Sequence, residues 1–352
     1  MKSVNSLFII SFFTGLSFGG LAQEPTEKED KKDGFDLTAM VSEQVDEVIN
    51  SDEKLWSVKV AYSPWFVNWS QKSTAASRFG SDAIDVNYSI DGAVAHSARI
   101  EATFWKLGTD LNLVQLPEGS AGSQQALSYL SAGVNYSDLI GETTIGYRYE
   151  QGSFQGYISG ADNDGKTGTG TFETDVTSHD ITLITKWGIG IGYRAFNYEV
   201  PQDVYLVNTS NNTVIESGFA DMHYEANFLT LIFRREELLK PDVAKFNLGL
   251  ELRYGLGSMT PSGDFVDETK AALRDNNIDD NIIEDADASF IEADFYAYMP
   301  LIQNDIVDSE FRLGYRIDTL TAEFGEGSGD YALMTDFETE FSGPYIAVSA
   351  NF

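Results

Sequence analysis

From about residue 55 to the last residue, apolar and polar side chains alternate with a period of two. In the segment 246–256, six apolar residues alternate with five polar or glycine residues, and the segment 311–318 follows the same pattern. Because successive side chains of a β-strand point to opposite faces, alternation of this length predicts strands with one apolar and one polar face. The sequence therefore predicts an all-β fold for most of the chain.

Twelve segments have this strand pattern, and the connections between them alternate between short and long. The predicted strands are 55–67, 82–92, 97–116, 127–137, 142–158, 172–187, 188–200, 221–235, 244–259, 286–301, 308–324 and 341–352. Tight turns at one end, long polar loops at the other and an even number of antiparallel strands are typical of an outer-membrane barrel. We therefore predict a transmembrane antiparallel up-and-down β-barrel of about 12 strands over residues 55–352, located in the bacterial outer membrane.

A large soluble β-sandwich or solenoid is the alternative fold for an alternating chain. The predicted strands exceed the roughly 5–6 residues that are usual in soluble sheets. Tyr62, Trp65 and Trp69 lie near one rim of the predicted barrel, and Trp56 and Trp187 lie near the other. This placement predicts the aromatic girdles that contact the two membrane interfaces. Charged residues also occur in mid-strand on the polar face, where a barrel has its lumen, so these features favour the barrel.

The first 22 residues have the pattern of a secretory signal peptide. Lys2 precedes a short apolar run, 7–21, and small residues stand at Gly20 and Ala22. This arrangement predicts cleavage after Ala22. The alternative is an uncleaved membrane anchor, but the run is short for a transmembrane helix of ~20 residues and contains Gly and Ser. We therefore expect the chain to be exported.

Residues 23–54 form an acidic segment between the signal peptide and the first strand. The part 24–54 has eleven acidic and four basic residues, and its polar start predicts a periplasmic linker. From Asp36 to about Asn50, apolar residues recur at helical spacing, which predicts a short periplasmic helix. This helix has two alternative interpretations: it packs on a neighbouring element, or it acts as a regulatory plug.

The overall composition excludes several classes of protein. The chain has 23 Lys and Arg against 55 Asp and Glu, a formal net charge of −32, and no cysteine. A nucleic-acid partner needs a basic face, so none is expected. A sequence without cysteine has no disulfides, no thiol nucleophile and no cysteine-ligated metal site. Much of the negative charge lies in the segment 24–54 and in the long loops, which predicts acidic loops around the barrel.

If the apolar faces contact lipid, the polar faces point into the lumen and carry both signs of charge. The predicted lumen-lining residues are Arg99, Glu101, Arg148, Glu150, Arg194, Glu251, Arg253, Arg312, Arg316 and Asp318. Several of them lie two apart on one strand with opposite charge, and such same-face neighbours can form ion pairs. These are Arg99/Glu101, Arg148/Glu150, Glu251/Arg253 and Arg316/Asp318.

Two functions are compatible with such a lumen. Barrels of about eight strands are filled by side chains and those of about sixteen to eighteen are open, so twelve strands do not decide between them. Opposed charges along a water-filled passage orient polar solutes, which predicts a porin-like channel for small polar solutes or ions. The alternative is a non-conducting structural or adhesive barrel that acts through its acidic extracellular loops. Outer-membrane lipid is an expected partner, and the pattern is compatible with a homo-oligomer.

No catalytic set can be assembled from the sequence. Of the three histidines, His96 lies in a predicted turn, His179 is on the lipid face and His223 is near a strand start. Ser178 is adjacent to His179, so the two side chains point to opposite faces of a strand. The loop 162–165 lacks the spaced third ligand and the terminal Glu of a calcium-binding EF-hand loop. We therefore expect no enzyme activity, no catalytic residues, no metal site and no cofactor.

The C-terminal segment 343–352, GPYIAVSANF, ends in Phe352 and has Ile346 and Val348 at alternate positions before it. It resembles the C-terminal recognition strand of bacterial outer-membrane β-barrel proteins, although Ala350 stands where that class more usually has an aromatic residue. The resemblance implies that the barrel-assembly machinery is a partner and that Ile346, Val348 and Phe352 form the assembly signal. It concerns this broad class, and no narrower family is indicated.

Overall fold

The described residues form fourteen β-strands and one helix. The computed structural model describes residues 56–75, 84–116, 125–139, 142–162, 167–199, 205–208, 214–217, 223–239, 246–275, 285–304, 306–323 and 334–352. The predicted signal peptide (1–22) and the predicted linker and helix (23–54) lie outside them and stay predictions. In chain order the elements are β1 (Trp56–Ala75), β2 (Ile84–Phe104), β3 (Leu107–Leu116), β4 (Ala126–Tyr136), β5 (Thr143–Asp162), β6 (Thr167–Thr185), β7 (Ile189–Glu199), β8 (Tyr205–Asn208), β9 (Val214–Ser217), β10 (His223–Arg235), β11 (Asn247–Ser262), α1 (Asp264–Asp275), β12 (Ala286–Gln303), β13 (Asp308–Glu323) and β14 (Met334–Asn351). Among the described residues, no helix has the length and apolar character needed to cross a membrane.

Twelve long strands form one closed antiparallel sheet. Each strand from β1 to β7 pairs with the next, β7 pairs with β10, and the pairing continues in order to β14. β14 returns to β1, from Lys59 opposite Asn351 to Ala75 opposite Met334, and this contact closes the sheet. The short strands β8 and β9 form a hairpin that extends from β6. The predicted barrel of about 12 antiparallel strands is confirmed.

β2 and β5 also pair directly with each other, beyond the ends of β3 and β4. Residues 84–89 of β2 lie opposite residues 157–162 of β5. The hairpin formed by β3 and β4 ends at the pair Leu116 and Leu127, so it is shorter than the strands on either side of it.

The predicted boundary between the second and third strands is wrong. The prediction places a turn between the strands 82–92 and 97–116, whereas β2 continues through this region without a break. The observed turn consists of Trp105 and Lys106, and Trp105 has a φ of +54°. His96, which was expected in a turn, therefore lies within β2.

An Asp91–Gly92 dipeptide lies at the end of the predicted segment 82–92. Asp-Gly is a strong hairpin signal because its glycine tolerates positive φ. Here Gly92 has a φ of +60° within β2, and its N–H donates a hydrogen bond to the side chain of Asn68 at 2.9 Å. On the neighbouring strand β1 the register shifts between Val67 and Trp69. The dipeptide therefore bends the strand and does not end it.

Short turns join the strands at the rim that also carries both ends of the barrel. In one of them Gly188 has a φ of +79°, and its carbonyl accepts a hydrogen bond from the N–H of Arg234 at 2.7 Å. A Cβ at this glycine would collide with the backbone of Arg234. Short turns of outer-membrane barrels lie on the periplasmic side. We name this the periplasmic rim and the opposite one the outer rim.

An ion pair connects two neighbouring turns of the periplasmic rim. Lys106 Nζ lies 2.8 Å from Asp138 Oδ2, and the N–H of Ser137 donates to the carbonyl of Lys106 at 2.8 Å. The hydrogen bond and the charge of Lys106 lower the pKa of Asp138. The Asp138 carboxylate is therefore ionised at neutral pH, where it holds the β2–β3 and β4–β5 turns together.

Every strand of the closed sheet exposes large apolar side chains on its outward face. Examples, one from each strand in chain order, are Val60, Ile100, Leu113, Val134, Ile145, Ile181, Ile191, Leu231, Leu256, Ile291, Leu313 and Val348. Soluble monomers rarely expose apolar patches larger than a few hundred Å². A continuous belt of this kind is stable where it contacts lipid.

Towards the outer rim, the pattern on each strand reverses. On β12, the inward side chain changes from Glu292 to Phe290 and Ala288, and the outward one changes from Ile291 to Asp287. We call the part of the barrel with apolar inward residues the outer segment. Its inward residues include Trp65, Trp69, Phe154, Phe196, Tyr198, Tyr224, Phe228, Phe290, Leu320, Phe337 and Phe341. The outer segment is polar outside and apolar inside, as expected for strands that have left the lipid and entered water.

Two of the five predicted girdle residues lie inside the barrel. Trp65 and Trp69 belong to the apolar interior of the outer segment, and Trp69 is only 3% exposed. Trp56, Tyr62 and Trp187 are exposed. The reason is the strand period: Trp65 and Trp69 are odd-numbered positions on β1 and face away from the lipid, whereas the even-numbered Tyr62 faces it.

Tryptophan fluorescence should distinguish the two faces. In a variant that keeps Trp69 and has phenylalanine at the other tryptophan positions, we expect little quenching by lipids with brominated acyl chains, because Trp69 packs inside the barrel. In the same background without Trp69, Leu229→Trp should be strongly quenched, because Leu229 is 74% exposed in the lipid belt. Equal quenching of the two folded variants would show that the assigned faces are wrong.

Candidate functional site

A cavity of about 390 Å³ lies inside the barrel. At its periplasmic end the lining residues include Lys59, Glu101, Arg234, Glu236, Glu310 and Ser349. At its other end they include the aromatic residues Trp65, Trp69, Phe154, Phe196, Phe228, Phe290 and Phe341. The cavity therefore reaches from the periplasmic rim to the apolar interior of the outer segment.

Charged groups near the periplasmic end of the cavity are held by one another and by an aromatic ring. Lys59 Nζ lies 3.2 Å from Glu310 Oε1, and Arg312 Nη2 lies 3.1 Å from the same oxygen. The Arg312 guanidinium also lies over the ring of Tyr296, 4.0 Å from its centroid. A cation over an aromatic face is attracted by the ring quadrupole. Arg312 is therefore fixed against the wall between β12 and β13.

Two tyrosines lie over inward-facing glycines of the neighbouring strands. The ring of Tyr296 covers Gly249 and the ring of Tyr345 covers Gly314, so a Cβ at either glycine would collide with the ring. The hydroxyl of Tyr345 donates a hydrogen bond to Asp294 at 2.8 Å. The glycines thus let both rings lie against the wall, which leaves the space of the cavity free.

Arg194 connects opposite parts of the wall across the lumen. Its guanidinium forms ion pairs with Glu292 of β12 and with Glu150 of β5, the latter at 3.0 Å. Four strands separate β5 from β12 on one side of the ring and six on the other. Ser178 also donates a hydrogen bond to Glu150 at 2.9 Å. These contacts place a bridge of paired charged side chains in the middle of the lumen.

Arg253 extends this group of charges. It pairs with Asp180 of β6 and lies 3.6 Å from Glu292 Oε2. The side chains of Arg253 and Asp180 are only 7% and 2% exposed, so both charges are removed from water. We call Glu150, Asp180, Arg194, Arg253 and Glu292 the central network. Buried charges of this kind are tolerated because each one has an opposite partner.

Two apolar clusters fill the interior between the cavity and the outer rim. One is formed by β7, β10–β14 and α1 and includes Tyr224 and Phe337, and the other is formed by β1–β5 and includes Trp69. Val176 of β6 packs against both clusters, so they adjoin along the wall. The ring of Phe337 on β14 packs against those of Tyr198 on β7 and Tyr224 on β10, with centroids 5.7 and 5.1 Å apart, so the first cluster crosses the lumen. Val266 of α1 is 3% exposed and belongs to the first cluster. The cavity is thus closed by side chains on its outer side.

The ten predicted lumen-lining residues have three kinds of position. Those that line the cavity are Arg99, Glu101, Glu150, Arg194, Arg312, Arg316 and Asp318. Arg253 is part of the central network. Arg148 and Glu251 lie away from the cavity lining, and Glu251 is 3.5 Å from Arg234 Nε.

Of the four expected same-strand ion pairs, only Arg99/Glu101 occurs in the described part of the chain, at 2.9 Å. Glu150 and Arg253 instead pair with residues of other strands. Side chains two positions apart on a strand start roughly 7 Å from each other. In a narrow lumen, partners that converge from other strands compete successfully with them.

The predicted assembly residues lie at the seam between β14 and β1. Ile346 and Val348 are exposed on the outward face of β14. The N–H of Phe352 donates to the carbonyl of Val58 at 2.9 Å, and the N–H of Val58 donates back at 3.4 Å. Recognition of this strand by the assembly machinery stays a prediction.

Two of the histidines face outward and bond to tyrosines. His96 Nδ1 lies 2.7 Å from the hydroxyl of Tyr62, and His179 Nδ1 lies 2.8 Å from that of Tyr147. Ser178 faces inward, so it does not contact His179 through its side chain. Within the described ranges, no group of three His, Asp or Glu side chains is placed to hold a metal ion.

The aromatic end of the cavity was missed at the level of the sequence. Phe290 has the same parity on β12 as Asp294, which lines the cavity, and Phe341 has the same parity as Tyr345 on β14. If every second residue from the inward charged positions is followed to the outer end of each strand, these rings are found on the inward face. The assumption that every apolar residue faces lipid concealed them.

A closed antiparallel sheet with an apolar belt outside and charges inside is the arrangement that lets a β-sheet cross a membrane. The chain is an outer-membrane β-barrel. No protein-family model matches its sequence, and no curated protein matches it.

Several solved bacterial structures are similar to the barrel at low sequence identity. The outer membrane protease OmpT from Escherichia coli is 6% identical, with 86% of this chain and 99% of that chain covered and a TM-score of 0.32. The translocator domain of the autotransporter NalP from Neisseria meningitidis is 11% identical, with 89% and 94% covered and a TM-score of 0.35. A FadL homologue from Pseudomonas aeruginosa is 10% identical, with 87% and 91% covered and a TM-score of 0.27. None of these similarities assigns the barrel to a family.

Removal of Arg253 should destabilise the barrel strongly. Arg253→Ala leaves the buried carboxylate of Asp180 without its partner, which costs about 3–5 kcal/mol in the free energy of unfolding. The matched control is Arg99→Ala, whose ion pair is more than a third exposed and contributes about 0–1 kcal/mol. Urea unfolding of both variants in lipid vesicles measures the difference. Equal losses of stability would contradict the assigned burial.

Proposed function

We propose that the barrel lets small polar solutes pass passively and that the described conformation is its closed state. The observation that carries this proposal is the mixed-charge cavity of about 390 Å³, which reaches the periplasmic rim and ends below the apolar clusters of the outer segment. A solute can occupy the cavity from the periplasmic side, and passage requires the outer side chains to move.

The charges on the cavity lining support passage of polar solutes of either sign. The basic residues are Lys59, Arg99, Arg194, Arg234, Arg312 and Arg316, and the acidic ones are Glu101, Glu150, Glu236, Asp294, Glu310 and Asp318. Equal numbers of opposite charges give no strong preference for cations or anions, in contrast to the acidic composition of the whole chain. Opposed charges across a lumen orient dipolar solutes.

The barrier in this conformation has two parts. The central network crosses the lumen through Arg194, and the apolar clusters occupy the space beyond it. A porin with a permanently open pore has neither feature. The barrel is therefore proposed as a gated channel, closed at rest.

A second candidate function is a non-conducting barrel that acts through its acidic extracellular loops. The observation that favours it is the same barrier, because apolar clusters that never open make the barrel a rigid carrier for the loops. Binding of a partner to the loops would then be independent of the cavity.

We also propose that the barrel is not an enzyme. His96 and His179 face outward, and Ser178 donates its hydrogen bond to a carboxylate that is itself paired with Arg194. Neither of these histidines nor Ser178 therefore provides an activated nucleophile or a general base at the cavity.

Truncation of the aromatic rings should increase conductance. Trp69, Phe154 and Phe341 pack together with ring centroids 5.3–6.0 Å apart at the outer end of the cavity. We expect rare, small current steps from the wild-type barrel in planar bilayers. The triple alanine variant should show at least tenfold higher mean conductance, because three of the rings that close the outer end of the cavity are removed. Phe295→Ala, on the lipid face, is the matched control and should behave as wild type.

Folded protein is identified in this experiment by the difference in gel mobility between unheated and boiled samples. If neither the folded wild type nor the folded triple variant conducts, the channel proposal is rejected and the non-conducting barrel is favoured. Large, permanently open steps from the wild type would also reject the closed state proposed here.

A further inference from the structure

Two charged residues on the cavity lining differ from the rest. Among the described residues, each of the other charged side chains on the lining has an ion pair or a side-chain hydrogen bond, for example Lys59 with Glu310 and Asp294 with Tyr345. Arg316 and Asp318 have no ion pair within 4 Å and no side-chain hydrogen bond in the described part of the chain.

Arg316 and Asp318 lie together on one face of β13. They are two positions apart, so their Cα atoms are roughly 7 Å from each other and both side chains point to the cavity. The residue opposite Arg316 on β14 is Gly343, which has no side chain to pair with the guanidinium, and its carbonyl accepts a hydrogen bond from the Trp65 indole at 3.2 Å. A polar group with both signs of charge can therefore approach the two residues at once.

The apolar end of the cavity lies directly beyond Asp318. The residue opposite it on β14 is Phe341, and the next inward residue on β13 is Leu320, which is 5% exposed. Both of these residues line the cavity, as does Phe290 of β12. Arg316 and Asp318 thus adjoin a pocket for an apolar group.

We propose that the cavity binds a small zwitterion that carries one apolar group, such as an apolar α-amino acid or a short apolar peptide. The carboxylate lies against the planar guanidinium of Arg316, which suits bidentate hydrogen bonding. The ammonium lies against Asp318, and the apolar group contacts Leu320, Phe341 and Phe290. The volume of about 390 Å³ is at the lower end of the range for small-molecule sites, roughly 300–1,000 Å³. This inference rests on the proposed function, because it names the solute class of the same cavity.

The test measures binding of leucine to the purified folded barrel by equilibrium dialysis. Three analogues each lack one feature: leucinamide lacks the carboxylate, 4-methylpentanoate lacks the ammonium and glycine lacks the apolar group. We expect each analogue to bind at least tenfold more weakly than leucine. Leucyl-leucine distinguishes an amino-acid site from a peptide site, because only a site that accepts the longer zwitterion binds both. This series needs no mutation, so it decides the proposal even if variants fail to fold.

Two variants locate the site. Arg316→Gln should weaken binding of leucine at least tenfold and remove the preference for leucine over leucinamide. Asp318→Asn should remove the preference for leucine over 4-methylpentanoate. Arg235→Gln is the matched control, because Arg235 is exposed at the end of β10 and does not line the cavity.

The proposal is overturned if leucine fails to bind at millimolar concentration or if the three analogues bind as tightly as leucine. It is also overturned if Arg316→Gln and Asp318→Asn, when folded, bind leucine like the wild type. Binding and conductance are separate readouts. If the wild type binds leucine selectively but the triple alanine variant does not conduct, passage of solutes is rejected and the zwitterion site stands. If the triple alanine variant conducts but the wild type does not bind leucine selectively, the zwitterion site is rejected and passage stands.

Discussion

The hydrocarbon of a membrane offers no hydrogen-bond partner, so each backbone N–H and C=O group of a spanning sheet must be paired within the protein. The contact between β14 and β1 meets this demand, from the mutual hydrogen bonds of Phe352 and Val58 to the pair of Ala75 and Met334 near the outer rim. If the two strands separated, each unpaired group would face lipid at a cost of several kcal/mol. The even strand number and the position of both ends of the barrel at one rim follow from this antiparallel closure.

The residues inside the barrel differ between the part of the wall that contacts lipid and the part that lies in water. At the level of the lipid belt, apolar residues such as Ile291 face outward, and the interior is left to the charges of the central network. In the outer segment, polar residues such as Asp287 face outward, and the interior is an apolar core like that of a soluble protein. The change occurs within a few residues on each strand. The cavity lies at this change, which gives it charged walls and an aromatic end.

The strands were predictable because the alternation is regular and needs no knowledge of the partners. The turn at Trp105 was not predictable, since neither Trp105 nor Lys106 is a typical turn residue. Asp91 and Gly92 are typical turn residues, but the strand β2 continues through them. The inward charges could be identified by parity, but their partners could not. Arg194 pairs across the lumen, and such a contact depends on the diameter and stagger of the barrel, neither of which a single strand encodes.

The direct pairing of β2 with β5 shortens one side of the wall. Near the periplasm β3 and β4 lie between these strands, whereas at residues 84–89 the wall passes from β2 to β5 directly. Neighbouring strands are ~4.8 Å apart, so this side of the wall loses roughly 10 Å of its width towards the outer rim. Tyr88 in this part of β2 is 2% exposed and belongs to the same apolar cluster as Phe154 of β5. The end of the β3–β4 hairpin thus brings apolar residues of β2 and β5 together that two strands separate nearer the periplasm.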